Sequence, residues 1–167
     1  GQVGFGPGIK RTSDDYAELR TLARLLNDFP AGWLERALRG EGKGLAYAVW
    51  AYNVTGVVPG YFTFAFNAQP GVEDEALAEA MKVIGRVKSQ PIPPEELQRA
   101  KAAVLTDEYL GKQSNSDRAA QVALDELYGI DATARERFLN EVESITAEQL
   151  SDIARQYLDN PVTVMLR

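Results

Sequence analysis

The stretch ALRGEGKGLAYAVWAYN, Ala37 to Asn53, joins a helical segment to an aromatic strand through three glycines, with an arginine and a lysine beside them. Glycines next to basic residues are typical of loops that cradle a phosphate, but the pattern G-x-x-x-x-G-K-[ST] is absent here. A phosphate loop also follows a strand and opens a helix, whereas this segment precedes a strand. The stretch is therefore interpreted as a helix C-cap and a turn that lead into a strand.

Two alternating strands follow this turn. In LAYAVWAYNVT the alternation separates Leu45, Tyr47, Val49 and Ala51 from Ala46, Ala48, Trp50 and Tyr52. In YFTFAFNA it separates Phe62, Phe64 and Phe66 from Tyr61, Thr63, Ala65 and Asn67. The loop GVVPG, residues 56–60, predicts a hairpin between the strands. We expect the phenylalanine face to be core under helices, and the side of Tyr47 and Thr63 to be the accessible face.

Helical patterns fill most of the remaining chain. Before the stretch, QVGFGPGI predicts a short strand, RTSDDYAELRTLARLLND a helix capped at Ser13 or Asp14, and AGWLERALR a helix that ends at Gly40. After the hairpin, helices are predicted in VEDEALAEAMKVIGRVKSQ, QPIPPEELQRAKAAVLTDEYLGKQ, NSDRAAQVALDELYG, TARERFLNEVESI and TAEQLSDIARQYLD, the last with a capping box of Thr146 and Gln149. PVTVML predicts a closing strand. These elements predict an α+β fold with an antiparallel or mixed sheet and helices on one face.

Composition limits the chemistry that this chain can carry. Its 167 residues suffice for one domain, and the net charge of −6 argues against nucleic acid or an anionic membrane as main partner. There is no apolar run of about 20 residues that could span a bilayer. Without cysteine or histidine, serine–histidine and cysteine–histidine catalysis and any histidine zinc site are excluded within the chain. No Asp/Glu group has the spacing of a calcium or magnesium site.

The ordered set of motifs resembles the C-terminal, non-zinc half-domain of the pitrilysin/mitochondrial processing peptidase family of inverted-motif zinc peptidases. QVGFGPGIKRTSDDYAELRTLARLLN is similar to the strand and helix that open each half, and ALRGEGKGLAYAVWAY to the family signature around an arginine and a tyrosine. PGYFTFAFNAQPG, PIPPEELQRAKAAVL and ITAEQLSDIARQYLDNPVTVML match the following strand, the helix with the EEL motif, and the closing helix and strand. The resemblance covers nearly the whole chain.

The resemblance implies a fold, a partner and a function. The fold would be a LuxS/mitochondrial-processing-peptidase-like half-domain, with a mixed, mostly antiparallel sheet, over residues 1–167 as a single domain. A zinc-bearing N-terminal half, or a separate homologous subunit, would hold the zinc in an H-x-x-E-H motif, and the two halves would close a chamber over a peptide substrate. In this chain the substrate-binding residues would be Arg39 and Tyr47, with no catalytic or metal-binding residue. We expect the chain, which begins GQVGFGPG without Met or leader, to be part of a longer soluble bacterial-type protein, cytoplasmic or periplasmic.

One departure leaves two functions open. The family spacing is usually arginine, six residues, tyrosine, whereas seven residues, Gly40 to Ala46, separate Arg39 from Tyr47 here. If the glycines absorb the extra residue, the pair survives and the chain is the substrate-binding half of a zinc metalloendopeptidase. If Arg39 is displaced, it is a solvated helix-end cation, Tyr47 is an ordinary half-buried strand aromatic, and the chain is a non-catalytic scaffold or interaction subunit.

Overall fold

A four-stranded sheet and a layer of helices make up the described part of the chain. The computed structural model describes residues 1–40, 44–110, 114–131 and 133–166. The strands are β1 (Gln2–Phe5), β2 (Ala46–Val54), β3 (Tyr61–Ala68) and β4 (Val162–Val164). The helices are α1 (Tyr16–Leu26), α2 (Trp33–Arg39), α3 (Glu73–Ser89), α4 (Pro94–Leu110), α5 (Asn115–Tyr128), α6 (Ala134–Ser144) and α7 (Ala147–Tyr157). The predicted α+β half-domain architecture is confirmed.

The sheet pairs its described strands in the order β2-β3-β1-β4, and each pairing is antiparallel. β2 and β3 form the predicted hairpin. Phe62, Phe64 and Phe66 of β3 are at most 1% exposed, and Phe64 packs against Phe5 of β1 with ring centroids 6.2 Å apart. Because alternate residues of a strand point to one face, these phenylalanines form a continuous core surface under the helices. The predicted phenylalanine core is confirmed.

Helix α1 is the centre of the helical layer. It contacts β2 and the helices α4, α6 and α7, and seven of its eleven residues are buried. Helix α2 also packs on β2 and contacts α3. At the rim of the core, ion pairs join α1 to α4, from Arg20 to Glu108 and from Arg24 to Asp107. Helices α1 and α2 both pack on β2, and together they fix the position of this strand, which carries Tyr47.

The start of α1 differs from the prediction. Asp15 occupies the N-cap position and makes no side-chain cap hydrogen bond, so neither Ser13 nor Asp14 is the cap. The Ser13 hydroxyl instead accepts a hydrogen bond from the Lys10 backbone N–H at 3.2 Å. The Asp15 carboxylate accepts a hydrogen bond from the Tyr157 hydroxyl of α7. The side chain at the N-cap position therefore makes a tertiary contact with α7 and does not cap the helix.

Two later helices begin with the same type of cap but bury different amounts of surface. Ser114 opens α5 and Thr146 opens α7, each through a capping box. The predicted box of Thr146 and Gln149 is confirmed. Helix α7 buries Leu150 and Ile153, whereas α5 has no buried residue. Helix α7 thus belongs to the core, and α5 lies on its surface.

Candidate functional site

The sheet has one face under the helices and one open face. Residues paired directly across neighbouring antiparallel strands share a face, so the register identifies the members of the open face. One cross-strand row consists of Tyr52, Thr63, Gly4 and Val162, and the next consists of Trp50, Ala65, Gln2 and Val164. Trp50 and Tyr52 are 43% and 44% exposed, and both valines are more than half exposed. The described helices therefore leave this face uncovered.

A β-bulge near the start of β2 turns Tyr47 outward. The pairing passes from Ala46 with Ala68 to Ala48 with Asn67, so two residues of β2 stand opposite one residue of β3. The extra residue interrupts the alternation. Ala46 is buried, Ala48 is partly exposed, and Tyr47 between them is 64% exposed. The bulge thus adds the phenol of Tyr47 to the accessible surface beside the open face.

Strict alternation groups Tyr47 with Val49 and Ala51 on the accessible face, and this grouping is wrong. Val49 and Ala51 are less than 10% exposed, because they lie on the face that α1 and α2 cover. Trp50 and Tyr52, which alternation placed on the core side, are on the open face. Polarity was the available signal: Val and Ala carry no polar side-chain group, whereas the N–H of Trp and the hydroxyl of Tyr suit an accessible surface.

The open face forms a shallow trough. The two central strands make its floor, with the exposed Gln2, the partly exposed Gly4 and Ala65, and the fully buried Thr63. Larger side chains of the two edge strands make its walls, Trp50 and Tyr52 on one side and Val162 and Val164 on the other. A Cβ atom added at Gly4 would meet no atom within 4 Å, so the floor is open above this residue. The walls are three strand spacings apart, or about 14 Å.

The trough carries no charge. None of the four strands contains Asp, Glu, Lys or Arg, although charged residues make up 25% of the chain. The hydroxyl of Thr63, in the floor, is fully buried; it donates to the Val3 carbonyl oxygen at 2.8 Å and accepts from the Gln2 side-chain amide at 3.2 Å. A solvated face of an antiparallel sheet normally carries polar and charged residues, and lysine is common on its edges. The composition of this face suits an uncharged ligand or surface better than water.

Arg39, the first predicted substrate-binding residue, is the last residue of α2. Its Nη1 donates to the Glu35 carboxylate at 2.9 Å, and its guanidinium carbon lies 5.3 Å from the centre of the Phe29 ring. Glu35 is only 5% exposed, so Arg39 neutralises a buried carboxylate. A guanidinium has five N–H donors in a fixed fork, and the contact with Glu35 leaves others for a second acceptor.

Arg39 and Tyr47 stand at opposite ends of the glycine-rich turn. The Leu45 backbone N–H donates to the Leu38 carbonyl oxygen at 2.8 Å, which closes the turn immediately before Arg39. Residues 41–43 of the turn lie outside the described part of the chain. That Arg39 and Tyr47 share one ligand stays a prediction.

Neither a metal site nor a membrane span is found in the part of the chain that the structure describes. Within residues 1–40, 44–110, 114–131 and 133–166, no three Asp or Glu side chains come together to hold a metal ion. Among the helices of the same ranges, none is long and apolar enough to cross a membrane. With no histidine or cysteine in the sequence, zinc has no suitable donor set in these residues.

Two open cavities lie on the helical side, near the start of α1 and against α4 and α5. They measure about 250 and 340 Å³ and share Arg11 in their linings. Several of their charged groups pair with each other, Arg20 with Glu108 and Arg137 with Asp131 at 2.9 Å. The hydrogen bonds from Arg137 hold the pKa of Asp131 below its usual range. These compensated charges leave no clear preference for a ligand, so the open sheet face is the stronger candidate site.

Comparisons with known proteins identify relatives of this fold. A model of the peptidase M16 inactive domain matches residues 3–104. A protease from Helicobacter pylori is similar, with 21% identity, a TM-score of 0.84, and coverage of 95% of this chain and 38% of its own. The inactive peptidase domain of a candidate zinc protease from Bordetella parapertussis has 24% identity, a TM-score of 0.81, and coverage of 94% and 85%. A chain of complex III2 from Candida albicans has 16% identity, a TM-score of 0.80, and coverage of 93% and 39%. The curated proteins give no significant match.

The family match includes the parts of β2 and β3 that contribute to the open face, whereas Val162 and Val164 of β4 lie outside it. It extends from β1 through the hairpin and the first three helices into α4, more than half of the chain, and contains both Arg39 and Tyr47. The present chain spans only 38% of the Helicobacter pylori protease that it resembles. By this match, the chain belongs to the peptidase M16 inactive domain family.

Proposed function

We propose that this chain is the substrate-binding half-domain of a zinc metallopeptidase that hydrolyses peptides or unfolded polypeptide segments. It closes a chamber over a zinc site held by another half, either in the same longer protein or in a separate subunit. The observation that carries this proposal is the open, charge-free sheet face of a chain that belongs to an inactive peptidase domain family. An uncovered apolar face of this kind marks a binding or interaction surface.

Arg39 and Tyr47 are the polar substrate-binding residues in this proposal. The partner half supplies the zinc and, with it, the nucleophilic water. The Arg39 guanidinium and the Tyr47 hydroxyl are both hydrogen-bond donors. Aimed at the carbonyl oxygen of the substrate, they stabilise the negative charge that develops there during attack. The exposure of Tyr47 and the spare donors of Arg39 support this assignment.

A non-catalytic scaffold is the second candidate. The seven-residue separation of Arg39 and Tyr47 favours it, because the family usually has six, and the ion pair with Glu35 gives Arg39 a structural role. In a scaffold the open face covers a partner protein and no substrate carbonyl reaches Arg39 or Tyr47. A chain of similar fold occurs in complex III2 from Candida albicans.

Hydrolysis by the assembled protein separates the two candidates. The complete protein that contains this chain, or the chain combined with its partner half, is incubated with an unfolded protein and with quenched fluorescent peptides. A peptidase will cleave them, a zinc chelator will stop the reaction, and added zinc will restore it. A folded protein that forms the same assembly but cleaves nothing, even after zinc is added, would establish the scaffold.

A further inference from the structure

We propose that the trough on the open sheet face selects extended, uncharged polypeptide segments with aromatic or aliphatic side chains at alternate positions. The inference rests on the proposed function, since it names the substrate class of the same site. It concerns the trough whose floor is Gln2, Gly4, Thr63 and Ala65 and whose walls are Trp50, Tyr52, Val162 and Val164.

The absence of charge in the trough selects against charged side chains in the ligand. No strand residue offers a counter-ion to a charged side chain lying in the trough. A lysine or aspartate there would lose part of its hydration and gain no ion pair, which is unfavourable. The buried hydroxyl of Thr63 is already engaged with Val3 and Gln2, so the floor does not offer it to a charged group. Uncharged segments avoid this desolvation penalty.

The spacing of the wall residues sets the second selection. Trp50 and Tyr52 are two residues apart on one strand, and Val162 and Val164 are two apart on the facing wall. This separation is the repeat at which an extended ligand places side chains on one side, about 6.7 Å. A segment lying along the strands can therefore present one side chain to each cross-strand row.

The aromatic wall offers both apolar surface and donors. Trp50 and Tyr52 keep more than two fifths of their surface exposed, and neither donates a side-chain hydrogen bond to another residue in the described ranges. An indole N–H and a phenol hydroxyl can bond the backbone of a ligand while their rings pack on its side chains. Because the ligand backbone is the same in every peptide, the ring contacts and the missing charge decide the preference.

Binding of matched peptides tests the selection. The parent peptide has ten residues and blocked ends, and Val or Tyr alternates with Thr along it. One variant carries Lys at two central Val or Tyr positions, and the other carries Asp at the same positions. Binding is measured by anisotropy of a labelled peptide and by the protein's tryptophan fluorescence. We expect both charged variants to bind at least about tenfold more weakly than the parent, the penalty of uncompensated charge. Equal affinity of all three peptides would overturn the proposal.

Two substitutions locate the binding in the trough. Gly4→Leu fills the open floor without backbone strain, since its added Cβ meets no atom, and should weaken parent binding by about tenfold. Gly85→Leu on α3, where an added Cβ also meets nothing, is the matched control and should bind as the unchanged chain does. In Trp50→Phe the peptide-induced fluorescence change should disappear, because the remaining Trp33 is only 2% exposed.

These outcomes can be told apart from failure of the proposed function. Unchanged binding by folded Gly4→Leu, with a native circular dichroism spectrum, would overturn the trough even if the assembled protein hydrolyses peptides. A peptide-induced change in tryptophan fluorescence that persists in Trp50→Phe would also overturn the trough as the binding site. If the assembly binds peptides selectively but cleaves nothing, the proposed selectivity of the trough is supported and the proposed peptidase function is overturned.

Discussion

At the scale of single residues, Arg39 has a structural partner in addition to its predicted role. Its guanidinium pairs with Glu35, whose side chain is 6% exposed. Arg39→Ala leaves this carboxylate buried without its cation, and we expect a loss of about 1–3 kcal/mol in unfolding free energy. The double change Glu35→Gln and Arg39→Ala should recover most of that loss in urea unfolding. A single variant as stable as the parent would show that the pair contributes nothing.

Tyr47 allows a cleaner test of function, because its exposed hydroxyl has no hydrogen-bond partner in the described part of the chain. In the assembled peptidase, Tyr47→Phe should lower turnover by roughly 10²-fold and leave folding intact, as loss of one donor to a developing oxyanion does. Combined with Arg39→Ala, the loss should be less than additive if both groups serve one carbonyl. Turnover of Tyr47→Phe within about twofold of the parent would show that the Tyr47 hydroxyl does not contribute to catalysis.

Tyr157 makes stability depend on alkaline pH. Burial, and then its hydrogen bond to Asp15, raise the pKa of Tyr157 to about 12 from an ordinary value of 10.0. Between these values the unfolded chain loses the proton first, so the contribution of Tyr157 is complete below pH 10.0 and is lost as the pH rises through about 12. Urea unfolding should show a smaller loss of stability across this window in Tyr157→Phe than in the parent. Identical losses of stability in Tyr157→Phe and the parent would show that the Tyr157 hydroxyl does not contribute to this pH dependence.

At the scale of elements, the same capping motif should matter in one helix and hardly in another. Thr146→Ala removes the cap of α7, which buries Leu150 and Ile153, and should lower the unfolding free energy by about 1 kcal/mol. Ser114→Ala removes the cap of α5, which buries nothing, and should change global unfolding by less than half as much. Hydrogen exchange in α5 should accelerate in Ser114→Ala without any change in α7. Equal global losses would show that α5 is part of the cooperative core.

Element by element, the sequence was informative where one local rule acted alone. The helical patterns predicted all the helices that the structure describes, α1 to α7, and Gly40 marked the end of α2. The three phenylalanines of β3 defined the core face. Prediction failed at the start of α1, where Asp15 takes the N-cap position and contacts α7. It also failed at Val49 and Ala51, which were expected to be accessible with Tyr47 but are buried, because a bulge at Tyr47 interrupts the alternation. The trough was missed because its two walls, β2 and β4, are far apart in the sequence, and only the strand order brings them to one face.

At the scale of the whole molecule, catalysis should require the partner half. The chain has no histidine or cysteine, and its described residues hold no acidic cluster that could bind a metal. The isolated chain should therefore retain no stoichiometric zinc after dialysis and cleave no peptide. Metal analysis by mass spectrometry and a peptide-cleavage assay check both expectations. Chelator-sensitive hydrolysis by the purified chain would show that the chain itself holds a metal site.

The charge-free strands also affect the solubility of an unassembled chain. Both edge strands, β2 and β4, lack the lysines with which proteins discourage edge-to-edge aggregation, and β2 is nine residues long. The net charge of −6 keeps separate copies apart in dilute solution, but the edges themselves offer no such protection. Under the proposed arrangement, a chain made in excess of its partner half would accumulate in an aggregation-prone form. Synthesis of both halves as one polypeptide would remove that hazard, because each edge and face would meet its intramolecular partner first.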